Sequence, residues 1–69
     1  MEYTNSQICE IINEHVHNVR DREVMQMRLI DGMTLEQISY AMNISVSTVK
    51  RTIFKNSYAI FKHVPQNDP

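Results

Sequence analysis

Apolar side chains return every three or four positions along most of this chain, and the breaks in that rhythm divide it into four helices. Ile8, Ile11, Ile12 and Val16 give one apolar face to a first helix over about 6–18, capped by Asn5 or Ser6, with residues 1–4 frayed. Asp21 is the expected cap of a second helix over 22–31, and Glu23 is favourable near its positive end. Val24, Met27 and Ile30 form its inner stripe, flanked by Met25 and Leu29. Asp31-Gly32 ends it, the glycine supplying a left-handed stop.

Two helix starts then follow in close order. Thr34 caps a third helix over 35–42; Gln37 completes a Thr-x-x-Gln capping box, and Met33 with Ile38 is spaced as a hydrophobic staple. Leu35, Ile38 and Met42 point inward, while the small Ser39 and Ala41 permit close helix approach. Ser45 caps a fourth helix, with Ile44 and Val49 as the staple pair. Eleven residues separate the two caps, room for about two turns of helix and a tight corner. Asn43 stands where that corner falls, and asparagine best tolerates a left-handed conformation after glycine. This is the arithmetic of a helix-turn-helix.

Nothing breaks the fourth helix before Pro65, so it is read over 46–63 with a tail at 64–69. Val49, Ile53 and Ile60 continue the inward stripe, and Phe54, Tyr58 and Phe61 make a second apolar line. Those rings either fold back onto the first helix or meet another chain; the small core favours the first. The expected fold class is all-α, a small four-helix bundle containing a helix-turn-helix motif, in one domain over 1–69.

Composition narrows the chemistry. Sixty-nine residues with a single cysteine, Cys9, allow no internal disulfide, and no Cys/His spacing suggests structural zinc. One glycine excludes a Gly-rich phosphate loop. Glu14-x-x-His17, with Glu10 four residues before, has the form of a bundle metal motif but lacks a matching pair elsewhere. Cys9 lies near the apolar stripe and reads as a small hydrophobe, and the histidines have no catalytic partner pattern. The expectation is a non-enzyme without cofactor or metal. No apolar run is long enough to span a bilayer and no signal peptide is visible, so a cytoplasmic protein is expected.

The net charge of −1 conceals a division. Residues 1–33 carry a net −3 and residues 34–69 a net +2, with Lys50, Arg51, Lys55 and Lys62 unaccompanied by any acid between 45 and 63. Nucleic-acid affinity follows where positive charge lies more than its total. In a helix-turn-helix the second helix enters the major groove by its N-terminal residues, while the first crosses the phosphate backbone. Arg51 is then suited to guanine, Lys50 to a base or phosphate, Ser47 and Thr48 to either, and Val46 to a thymine methyl. Thr34 offers a hydroxyl and a helix N-terminus to phosphate, and Lys55, further along, a phosphate contact. A blander reading covers the same residues: a solvated basic face, with Thr34 and Ser45 as caps alone. Four cations are a modest footprint, so one copy is expected to bind weakly.

The run from 22 to 53 resembles region 4 of bacterial sigma factors, the domain that reads promoter DNA. The resemblance lies in Arg22-Glu23-Val24, Gly32-Met33-Thr34, Glu36-Gln37-Ile38, Ile44-Ser45-Val46 and Thr48-Val49-Lys50. Output domains of quorum-sensing-type response regulators share much of this pattern. Ser39 replaces the usual alanine, Asn43 the usual glycine, and Ser57-Tyr58-Ala59-Ile60-Phe61 the basic run that normally ends the last helix. The resemblance implies a sequence-specific, double-stranded-DNA-binding transcription regulator from a bacterium or its phage, with RNA polymerase as a further partner. Sixty-nine residues leave no room for the polymerase-core-binding and promoter-melting domain of a complete initiation factor, so a stand-alone regulator is expected. Pairing into a homodimer through the first helix or the aromatic line would double the cationic contacts. The alternative is a protein-interaction module that meets polymerase or another regulator through Phe54, Tyr58 and Phe61.

Overall fold

A computed structural model of the protein describes residues 3–61. Among them the secondary structure is entirely helical: α1 (Asn5–His15), α2 (Val19–Leu29), α3 (Leu35–Met42) and α4 (Val46–Phe61). The expected end of the last helix at 63 and the tail at 64–69 lie outside the described residues.

The N-terminal boundaries differ from the expected ones because neighbouring polar residues compete better for the orphan amides of the first turn. Thr4, expected to be frayed, caps α1 instead of Asn5 or Ser6: its Oγ1 accepts from the Gln7 amide at 3.1 Å while Gln7 Oε1 accepts from the Thr4 amide at 2.8 Å. That reciprocal box satisfies two donors where a lone Asn5 or Ser6 would satisfy one. The helix ends at His15, not near residue 18, and Val16 turns extended to bury its side chain. Asn18 then caps α2, its Oδ1 accepting from the Asp21 amide at 3.2 Å. Asp21, the expected cap, sits inside the first turn with only 4 % of its surface exposed.

Two apolar clusters hold the bundle. Ile12 and Val16 of the α1 segment meet Met25 of α2 and Ile60 of α4, with Ile8, Ile11 and Leu29 around them. Val24 of α2, Ile38 of α3 and Val49 of α4 form the other, walled by Met27, Met33, Leu35, Met42 and Ile44. Ile53 touches both. The central α2 therefore buries adjacent Val24 and Met25 toward opposite neighbours, which corrects the single stripe of Val24, Met27 and Ile30 expected for it. A helix packed on two sides has no clean amphipathic period to read.

Candidate functional site

The corner between α3 and α4 is built by local chemistry. Thr34 and Gln37 close their capping box with bonds of 3.1 and 2.9 Å, fixing where α3 starts. At its other end Asn43 takes φ 56° and ψ 46°, the left-handed conformation, and the Ile44 amide reaches back to the Ser39 carbonyl at 3.0 Å. Ile44 then drops into the second cluster beside Met42. Ser45 starts α4 at once: its Oγ accepts from the Thr48 amide at 3.1 Å and shares a hydroxyl–hydroxyl bond with Thr48 at 2.8 Å. Val49, fully buried against Ile38 and Val24, sets the rotation of α4 about its axis.

That rotation decides what α4 presents. Ser47, Lys50 and Arg51 are exposed and share one face of its first two turns, and Val46 is exposed at its start. Thr48 is half-buried, its hydroxyl taken up by Ser45. Thr34 is exposed at the head of α3, with its amide and hydroxyl oxygen engaged by Gln37. Lys55 is turned to the flank, where its Nζ lies 3.4 Å from Asp21 Oδ2 while most of the side chain remains in solvent.

Arg28, at the end of α2, was missed by the sequence reading. Its Nη1 donates to the Met33 carbonyl at 2.9 Å, holding the turn into α3, and the side chain borders a shallow groove with Leu35, Lys50, Ile53 and Phe54. Its only sequence signal is a basic residue in a helix's last turn, which dipole complementarity alone explains. A second residue pair was also missed. Asn56 and Thr52 are buried on the inner side of α4, where Asn56 Nδ2 donates to Asp21 Oδ2 at 3.2 Å and to the Thr52 carbonyl at 2.8 Å. The inward stripe read from apolar spacing, Val49, Ile53 and Ile60, passed over both because they are polar.

The aromatic line does not fold back as a unit. Phe54 is 82 % exposed and Tyr58 74 %, both pointing away from the bundle, so the expected wrapping onto the first helix fails for them. Their positions follow from Val49, Ile53, Asn56 and Ile60, which already claim the inner side. Phe61 borders a groove with Ile8 and Ile11 of α1 and keeps 54 % of its surface exposed.

Glu14 and His17 do not share a helix face, because α1 stops at His15. Among the described residues no group of three His, Cys, Asp or Glu is placed to hold a metal ion, and no helix is long and apolar enough to cross a membrane. Cys9 is half-buried, with the Asn13 and Gln26 side-chain amides at 3.6 and 3.8 Å from its sulfur.

Residues 18–55, just over half of the chain, match the family described as Sigma-70, region 4. No curated protein and no solved structure matches the chain.

Proposed function

The chain belongs to the sigma-70 region 4 family, and on that footing we propose that it is a sequence-specific, DNA-binding transcription regulator that reads the major groove with the first turns of α4. The family is one of DNA-binding, transcription-related helix-turn-helix domains, and its members bind DNA and RNA polymerase. One observation carries the finer reading. Ser47, Lys50 and Arg51 stand together on the exposed face of a helix that begins immediately after a left-handed corner, with no acidic residue on the described part of that helix. Arg51 and Lys50 supply base or phosphate contacts, Val46 and Ser47 read base edges, and Thr34 and Thr48 hold the two helix starts against the backbone. Lys55 adds a phosphate contact at the flank when DNA competes with Asp21 for it.

Selection from a random duplex pool tests this reading. A recovered motif whose preferred base changes at one position when Arg51→Gln is used supports it. A pool that stays random after repeated rounds contradicts sequence-specific reading.

The exposure of Phe54 and Tyr58 favours a second reading, a protein-interaction module that meets RNA polymerase or another regulator through the aromatic side of α4, with Phe61 at its edge. Under it, Tyr58→Ala abolishes capture of purified polymerase while Lys50→Ala/Arg51→Ala does not. Pairing of two copies is a further part of the proposal, since it doubles a small cationic footprint; sedimentation with and without duplex measures it.

A further inference from the structure

Phe54 is a large apolar ring held in water for no packing reason. Its place on α4 is specific: Ser47, Lys50, Arg51 and Phe54 follow one another at steps of three, one and three, so the ring lies on the midline of the face that carries the two cations. Arg28 of α2 and Lys50 border the groove that the ring closes. The ring therefore has cations beside it, with Leu35 and Ile53 in the same groove, on a face continuous with the proposed reading surface, an environment suited to a polyanion with apolar spots.

We propose that Phe54 is a specificity-determining residue that packs on the C5-methyl of a thymine in the major groove. The inference rests on the DNA-binding reading above. Distance selects this occupant. Seven residues of helix put Phe54 about 10 Å along the axis from Ser47, within a major groove about 12 Å wide. Tyr58 lies about 16 Å along and Phe61 about 21 Å, so both rings pass beyond the groove edge and are left to other contacts. The methyl of thymine is the one apolar group that a base pair displays in that groove, and phenylalanine is among the side chains that meet it. Phosphates at the groove edge would face Lys50 and Arg28, which border the same groove as the ring, leaving Arg51 to a base.

The test uses the full chain and a duplex recovered from a random pool by the wild type, prepared with thymine and with deoxyuridine at each thymine in turn. Wild type should lose about fourfold in affinity at one position when the methyl is removed, the equivalent of one buried methyl group. Phe54→Ala should bind the thymine duplex several-fold more weakly and be indifferent to deoxyuridine at that position, whereas Phe54→Leu should keep the methyl dependence. Tyr58→Ala should match wild type on both duplexes. Circular dichroism checks that each variant is helical, which the exposure of these rings leads us to expect. Phe54→Ala binding as tightly as wild type, or retaining the full deoxyuridine penalty, would overturn the inference and assign the ring to a protein partner. A wild type that enriches no duplex at all overturns the DNA-binding reading, and this inference with it.

Discussion

The side-chain amide of Asn56 on α4 donates to the buried carboxylate of Asp21 on α2 at 3.2 Å, thirty-five residues away in sequence. This bond joins α2 to α4 beside the Thr52 carbonyl, to which the same amide donates, and helps fix the rotation of α4 that exposes Lys50 and Arg51. Removing Asn56 takes away the buried donor to that carboxylate and leaves it the largely exposed Lys55 and Arg20 at 3.4 and 3.9 Å, while removing Asp21 leaves the Asn56 amide its bond to the Thr52 carbonyl. Asn56→Ala should therefore destabilise by about 1.5–3 kcal/mol, the range for a hydrogen bond to a charged group, and Asp21→Ala by less. Urea unfolding of both singles and the double gives the coupling. Additive losses would show that the two side chains do not work as a pair.

Lys55 approaches the same carboxylate at 3.4 Å, but its side chain is largely in solvent. Exposed pairs contribute about 0–1 kcal/mol, so Lys55→Ala should leave the unfolding midpoint almost unchanged. It should also reduce the salt dependence of DNA binding less than Lys50→Ala, because Asp21 holds part of its charge to the flank. A larger effect from Lys55 would place it in the central footprint.

Among the described residues, Gly32 and Asn43 carry positive φ, at 68° and 56°. Asn43→Gly should be neutral or slightly stabilising, and Asn43→Val should cost about 1–2 kcal/mol, since a β-branched residue fits the left-handed region poorly. Gly32→Ala should cost about 1 kcal/mol from backbone strain alone, because beyond residue 32 and its two chain neighbours nothing lies within 4 Å of the added methyl. Chemical denaturation of the three variants checks the order. A harmless Asn43→Val would mean that the corner is not left-handed in solution.

Ser45 gives α4 its start through the Thr48 amide. Ser45→Ala should cost about 1 kcal/mol, a fall in Tm of about 4–8 °C for a domain of this size. Thermal unfolding by circular dichroism reads it directly. Ser45→Asp should recover most of the loss, as a second good cap; failure to do so would argue that the hydroxyl–hydroxyl bond to Thr48 matters more than the cap.

Local signals were the legible part of this chain. The Thr34 capping box, the left-handed Asn43 and the Ser45 cap are each written within a few residues, and together they define the helix-turn-helix before any packing is known. Long-range competition was not legible. Nothing near Asp21 says that an asparagine thirty-five residues on will take its carboxylate into the core, so the sequence offers it as a cap. Val24 and Met25 are adjacent and both buried because α2 has helices on either side, which no single-helix period can express. Phe54 and Tyr58 had the opposite problem: their size argues for the core, but the inner side of α4 was already filled by Val49, Ile53, Asn56 and Ile60. For the proposed interface, helix spacing placed Ser47, Lys50 and Arg51 on one face, while Arg28 joins that side of the molecule only through tertiary packing.

DNA binding through Lys50 and Arg51 is measured by fluorescence anisotropy of a labelled random duplex titrated with wild type and with Lys50→Ala/Arg51→Ala, both confirmed helical, between about 50 and 200 mM salt. Wild type should bind in a salt-sensitive manner, with a log–log slope of about −3 to −5, and the double variant should lose that binding. Folded wild type that binds no duplex at the lower salt, or a double variant that binds as well as wild type, would contradict DNA binding through these two residues.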